Sequence, residues 1–269
     1  ELERRGYGKE TWRDFGFGYA PDDWRQLLEH LSRRHPEGVI VESGLAVQPD
    51  SGKNPYDRFR DRLTFPVRDS EGRLIAFGGR ILGDGEPKYL NSPESPLFHK
   101  RSNLFCLDRA RRAIADESEA VVVEGYFDCF SLHLVGITHV VATLGTALTA
   151  DHARLLRRRV GADGRVVLCY DADTAGRRAA ATAAGVLLEA GVAVAVVGLP
   201  PGTDPDDVVR AEGGDAARAL LAEPSSLVEF LVEDLPDERA ARQREATELA
   251  ALVDECARHV PATDRAGQA

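Results

Sequence analysis

The 269-residue sequence has no methionine, two tryptophans and four cysteines. No apolar run approaches the roughly 18 to 20 residues that a membrane-spanning helix needs, and its first residues lack the apolar core of a secretory signal. A cytoplasmic chain without membrane contact is the expectation. Cys106, Cys129, Cys169 and Cys256 lie far apart and form no C-x-x-C pair. Such spacing argues against a zinc ribbon and a disulfide framework, and it favours buried free thiols and no zinc in this chain. No physical property accounts for the missing methionine. Positive charge is also in deficit, with 34 Lys/Arg against 44 Asp/Glu and a net charge of −10, which argues weakly against a nucleic-acid binder. At 43% apolar and 29% charged residues, the composition is that of a globular protein with a sizeable core in one large domain or two.

What the sequence does contain is unevenly distributed. From Lys53 to Arg112 there are 13 Lys/Arg against 8 Asp/Glu, so the basic residues gather in one segment while the remainder is acidic. In the same region Leu63–Val67 and Arg73–Phe77 read as short strands around the turn Asp69-Ser70-Glu71-Gly72, with Pro66 marking an edge strand or a bulge. Earlier, Pro21-Asp22-Asp23 ahead of Trp24, Leu27, Leu28 and Leu31 reads as a capped amphipathic helix, with Trp24 explained by packing. From Val121 the pattern changes to strand and helix in turn: strands at 121–124, 139–144, 165–170 and 192–199, with helices near 127–135, 149–159, 175–190 and 206–222. Such alternation predicts a parallel sheet flanked by helices. Residues 239–259 fit one further amphipathic helix, and the last nine residues read as disordered.

Three of these strands end on carboxylates. Val121-Val122-Val123 runs into Glu124-Gly125, with Asp128 one helical turn further on. Strand 165–170 runs into Asp171-Ala172-Asp173, and strand 192–199 is followed by Asp204-Pro205-Asp206. Each alone could be a helix cap or a turn residue, most of all Asp206 ahead of a helical run. Together they predict convergence in the crevice outside a parallel sheet's carboxyl edge. Carboxylates packed together repel unless a cation is present, and an oxygen-only donor set suits Mg²⁺ or Mn²⁺, with room for two ions and phosphoryl or nucleotidyl transfer. The small residues Leu144-Gly145-Thr146 allow either a backbone approach to a phosphate or a plain tight turn, and Thr149-Ala150-Asp151 reads as a helix start.

These residues resemble the Toprim domain shared by DnaG-type primases, topoisomerases and some nucleases. Further segments, Tyr56-Asp57-Arg58-Phe59-Arg60-Asp61-Arg62, Phe77-Gly78-Gly79-Arg80, Lys88-Tyr89-Leu90-Asn91-Ser92-Pro93-Glu94 and Phe98-His99-Lys100, resemble the RNA polymerase core of bacterial DnaG-type primases, from about Arg5 to about Glu233. The resemblance implies a mixed α+β N-terminal lobe at 1–115 with a basic nucleic-acid-binding surface. A Rossmann-like Toprim lobe at 116–225 follows, and a helical C-terminal segment at 226–269. It implies Glu124, Asp171 and Asp173 as principal metal ligands, with Asp128, Asp204 and Asp206 completing the catalytic set. It also puts Arg5, Arg58, Arg60, Arg80, Lys88 and Lys100 on the surface that tracks single-stranded template and holds nucleotide phosphates. Tyr89 could stack on a base or belong to the core. Alternation of Arg58, Arg60 and Arg62 in an extended segment would point all three one way, either as a solvated face paired with Asp57 and Asp61 or toward nucleic acid. The family's zinc ribbon and helicase-binding domain have no counterpart here, so the chain reads as truncated at both ends.

The function implied is metal-dependent, DNA-templated synthesis of short RNA primers from ribonucleoside triphosphates, by a monomer. Its partners would be template, an RNA–DNA hybrid product and, through regions missing from this chain, the replicative helicase. Two alternatives stay open. A Toprim nuclease would cut single strands with Mg²⁺ and no nucleotides. A non-catalytic DNA-binding module would bind without using its aspartates. A topoisomerase would need a nucleophilic tyrosine, and none of the six stands in a recognisable context for one.

Overall fold

The computed structural model describes residues 2–232, so the helix expected over 239–259, the last nine residues and Cys256 lie outside the described residues. The chain divides into two compact units, the first ending at Asn103 and the second starting at Leu104.

In the first unit a 3₁₀ turn (Glu3–Arg5) and helix α1 (Lys9–Phe15) lead into strand β1 (Gly18–Ala20). Two short helices follow, α2 (Gln26–Leu31) and α3 (Glu37–Glu42), and then strands β2 (Ala46–Val47) and β3 (Tyr56–Asp57). The N-terminal amides of α2 are held by two carboxylates. Asp23 accepts from Arg25 and Gln26 N–H, and the buried Asp57 accepts from Leu27 and Leu28 N–H at 2.7 and 2.8 Å. This satisfies the donors that a helix start leaves over.

Strands β4 (Arg62–Arg68), β5 (Leu74–Ile81) and β6 (Tyr89–Asn91) complete a sheet in the order β1-β4-β5-β6, antiparallel throughout. The β4–β5 turn is the expected Asp69–Gly72 segment. Asp69 Oδ1 accepts from Glu71 and Arg73 N–H, and Gly72 takes φ +87°. Pro66 sits in an interior strand, yet β1 pairs only with Arg62–Thr64, so no strand faces the missing N–H, and the register slips between Val67 and Arg68.

The second unit starts with helix α4 (Leu107–Glu117), whose Leu107, Ala110 and Ile114 are buried. Then come β7 (Glu119–Val123), α5 (Tyr126–Leu134), β8 (Val140–Ala142), α6 (Ala150–Val160), β9 (Arg165–Leu168), α7 (Thr174–Glu189) and β10 (Ala193–Val196). Helix α8 (Pro205–Ala222), broken at Gly213, strand β11 (Ser225–Ser226) and helix α9 (Leu227–Val232) follow. Each predicted strand and helix from 121 to 222 is present within a few residues of its expected ends. Val121, Val122 and Val123 are buried, as a strand covered on both faces requires.

The sheet order is β11-β10-β9-β7-β8, parallel except for β11. From β7 the chain crosses to β8 on one side, and from β9 it crosses to β10 on the other. The carboxyl ends of β7 and β9 therefore flank the point where strand order reverses, which opens a crevice there. Residues of α4, α6 and α7 join the sheet valines in one core, among them Ile114, Leu156, Leu168 and Leu187. Phe105 forms an antiparallel bridge with Ala142, along the outer margin of β8.

Candidate active site

Glu124 follows β7 directly and Asp171 lies three residues beyond β9, so the switch point separates and faces them. Glu124 is half-buried, and its Oε1 accepts from Asp171 N–H at 3.3 Å. Burial, with Asp171 and then Asp173 nearby, raises its pKa above the usual glutamate range. Asp173 is the N-cap of α7 and accepts from Gly176 N–H at 2.7 Å. A Cβ on Gly176 would fall 2.2 Å from Asp171 O, so glycine there lets α7 start against the D-x-D loop.

Asp128 occupies the third position of α5, where its Oδ2 accepts from Gly125 N–H at 2.9 Å. The spacing of Gly125 and Asp128 has a steric reason, because a Cβ at 125 would meet Asp128 Oδ2 at 2.4 Å. Asp128 is buried, and desolvation together with Asp204 and Asp171 pushes its pKa up to about 8. Its Oδ1 accepts from Asp206 N–H at 3.3 Å. Helix α8 is capped by Asp204, which accepts from Asp207 N–H at 2.6 Å, with Pro205 in the first helical position. The cap expected at Asp206 is thus supplied two residues earlier. Asp206 itself is buried, accepts from Ser131 Oγ on α5, and lies 3.6 Å from Arg210 Nη1.

The six carboxylates form two neighbouring groups, Glu124–Asp171–Asp173 and Asp128–Asp204–Asp206, coupled through Asp171. Among the described residues no three of them offer oxygens within 4.8 Å of one another, since most are turned onto backbone amides. The donor set is all oxygen, and the raised pKa values of Glu124 and Asp128 come first from burial and then from the neighbouring carboxylates, a like-charge contribution that a hard divalent cation would relieve. The residues present therefore fit such an ion. A cleft of about 380 Å³ adjoins Glu124, lined by Thr143, Gly145, Thr146, Tyr170, Arg178 and Thr182 among others. Gly145 takes φ +71°, so the Leu144-Gly145-Thr146 segment is a tight turn that also borders this cleft. Arg178 was not among the sequence candidates, and only its place one turn into a helix capped by Asp173 could have marked it.

The basic candidates all belong to the first unit, and they differ in what holds them. Arg58 Nε and Nη2 both donate to Asn91 O, at 2.9 and 2.7 Å, and burial lowers its pKa. Arg62 is buried against Gly79 O and Lys88 O. Arg60 lies over the Trp24 ring, 4.0 Å from its centroid, and donates to Asp57 O. The three do not share a face: Arg58 turns onto Asn91 O, Arg60 onto the Trp24 ring and Arg62 onto Gly79 O and Lys88 O, and Asp61, between the last two, takes φ +46°. Asp57 caps α2, while Asp61, one of the two expected carboxylate partners, accepts from Tyr19 Oη and acts electrostatically on Arg62. Trp24, read from sequence as packing, is 61% exposed and stacks edge-on against Tyr56. Arg80 Nη1 donates to Tyr89 Oη at 2.8 Å and sits over the same ring. Lys88 is exposed, Arg5 and Lys100 are half-buried, and Lys100 N–H donates to Glu94. His99 pairs with Glu94 at 3.1 Å, a local hydrogen bond.

Residues 2–111 match the family model described as the DNA primase catalytic core, N-terminal domain, and residues 121–209 match the Toprim-like model. A DNA primase of Clostridium acetobutylicum is 47% identical over 230 residues, covering 85% of this chain and 37% of that protein. The chain thus spans little more than a third of the length of the curated relatives it matches. The crystal structure of a DNA primase domain from Pseudomonas aeruginosa superposes with a TM-score of 0.84 at 44% identity, over 97% of this chain and 82% of the other. A DnaG primase catalytic domain bound to single-stranded DNA superposes at 0.80 with 39% identity, over 94% and 81%. Toprim domains bind divalent metal ions, in agreement with the donor set.

Proposed function

This chain belongs to the bacterial DnaG-type DNA primases, as their catalytic core, and from that premise we propose that it joins ribonucleotides on a single-stranded DNA template without a pre-existing strand. The observation that carries this reading is the pair Glu124 and Asp171 facing each other across the switch point, with four more carboxylates on the adjoining loops and helix starts. In the proposal Glu124, Asp171 and Asp173 hold two Mg²⁺ or Mn²⁺ ions, and Asp128, Asp204 and Asp206 bind directly or through water. When bound, the ions would supply Lewis acidity at the 3′-hydroxyl and neutralise charge on the triphosphate.

The chain's own groups do the positioning. Asp173 and Asp204, as caps, fix the starts of α7 and α8, and Asp128 ties the start of α5 to that of α8. Arg178 and the Gly145 turn border the cleft beside Glu124 and suit a phosphate group. In the first unit Arg60, Arg80, Lys88, Lys100 and Arg5 serve template and nucleotide phosphates, with Tyr89 and the exposed Trp24 able to stack on bases. Arg58 supports that surface from within by bridging to Asn91. The chain acts in the cytoplasm as a monomer, with the replicative helicase as a further partner.

The test is direct. Single-stranded DNA, labelled ribonucleotides and a divalent metal are incubated with the chain and with its Asp171→Ala variant. Short RNA from the first and none from the second is expected. Cleavage of labelled DNA without nucleotides would favour a nuclease, and DNA binding indifferent to Asp171 with no incorporation would favour a non-catalytic module.

A further inference from the structure

Next to Asp128 in the chain, α5 and the residue before α4 bring together three soft donors. Cys106, Cys129 and His133 each offer one ligand atom, and these atoms lie within 4.8 Å of one another, the one such group among the described residues. Cys129 and His133 are four residues apart on α5, so they share a face, the same i, i+4 arrangement by which helices present paired metal ligands. Cys106 comes from the residue before α4. Its backbone takes φ +60°, a left-handed conformation that side chains other than glycine and asparagine adopt rarely. A strained residue that keeps a reactive side chain points to a use for that side chain. Its flanks are pinned, with Phe105 paired to Ala142 and Ala110 N–H donating to Cys106 O.

The surroundings also favour a cation. Val140 O accepts from His133 Nε2 at 2.8 Å and lies 3.6 Å from Cys129 Sγ. A carbonyl only accepts, so that nitrogen carries the hydrogen. Burial lowers the pKa of His133, which favours its neutral form. Two thiols and a neutral imidazole thus stand together, buried or nearly so, beside the rings of Phe105 and Phe130. A dication that displaces both thiol protons leaves the cluster with no net charge, which a low-dielectric interior tolerates. An S₂N donor set selects thiophilic ions over Mg²⁺ or Mn²⁺. Asp108 lies close enough to act electrostatically on both Cys129 and His133, and it is available as an outer partner.

We propose that Cys106, Cys129 and His133 form a structural site for a thiophilic divalent cation, Zn²⁺, which ties the start of α4 to α5. The donors come from 23 and 27 residues apart in the chain, and none belongs to a C-x-x-C pair. The ion would brace the helix that carries Asp128 without joining the chemistry of the carboxylates.

The protein is purified under reducing conditions with zinc present, passed over a chelating resin to strip weakly held ions, and its zinc is counted. One zinc per chain is expected. Replacement by Co²⁺ should produce a thiolate-to-cobalt charge-transfer band, which carboxylates cannot give. The Cys129→Ser and His133→Gln variants should lose zinc and band, while Cys169→Ala keeps both. The wild-type band needs no variant, so misfolding of a substituted chain leaves the test intact. Absence of the band with Co²⁺ present during refolding, zinc retained in both variants, or a Cys106–Cys129 disulfide in the reduced preparation would each overturn the site.

Discussion

The backbone N–H of Asp206 donates to Asp128 Oδ1 at 3.3 Å, linking the first turns of two helices that are 78 residues apart in sequence. Asp128 is thereby held, buried, beside Asp204 and Asp171, and its pKa of about 8 lies far above the 3.8 of a free aspartate. Between these values the folded chain binds a proton that the unfolded chain has released, so stability falls as pH rises through that window, by up to about 6 kcal/mol when complete. Melting scans between about pH 5 and about pH 9 should show this decline without metal. Mg²⁺ should raise Tm more at the basic end, and Asp128→Asn should flatten the slope. A slope unchanged in Asp128→Asn would place its origin elsewhere.

Glu124→Gln and Asp171→Ala should abolish primer synthesis, by at least about 10²-fold, because each removes charge from the crevice. Neither side chain caps a helix or fills the core, so the melting temperature in the absence of metal should change little. Full-length primer made at the wild-type rate by either variant would remove the carboxylates from the reaction.

Asp173 carries two duties that substitution can separate. Asp173→Ala loses the α7 cap and should cost about 0.5 to 2 kcal/mol in denaturant melts. Asp173→Ser keeps a capping oxygen and should restore most of that stability while leaving synthesis impaired. Recovery of activity along with stability would mean that only the cap matters.

Arg58 and Arg60 are close in sequence and should nonetheless fail differently. Arg60→Ala should weaken single-stranded DNA binding uniformly across sequences and reduce the slope of log K against log salt by about 1. Arg58→Ala should lower thermal stability instead, since it leaves Asn91 O without two donors. Titrations by fluorescence anisotropy at several salt concentrations, with melts alongside, distinguish the two.

Gly176→Ala touches no carboxylate yet should reduce synthesis. The added methyl would meet Asp171 O at 2.2 Å, and since that atom is backbone the loop or the helix start must move. A cost of about 1 to 3 kcal/mol and a displaced Asp171 are expected, readable by melting and by the metal concentration needed for half-maximal activity.

The parallel sheet and the carboxylates at its edge were legible because both signals are local. Runs such as Val121–Val123 stop at acids, and each following helix has its own apolar period. What each acid does was less legible, since Asp173 and Asp204 look alike in sequence to a ligand or a cap and the structure makes them caps. Strand β11 consists of two serines, too short and polar to carry a strand pattern. The common face expected for Arg58, Arg60 and Arg62 failed because each guanidinium finds a different partner, at Asn91 O, the Trp24 ring and Gly79 O. The Cys106–Cys129–His133 cluster escaped notice because it depends on α4 and α5 meeting, which no spacing within either helix discloses.

Neither margin of the five-stranded sheet offers a long bare backbone. Phe105 exchanges both hydrogen bonds with Ala142 at one side, and β11, only two residues long, runs against β10 at the other. Sheets left open at the rim recruit further strands from other molecules and grow into fibrils. A protein whose catalytic loops must stay hydrated and accessible is thus shielded from self-assembly by two small pieces of chain that take no part in chemistry.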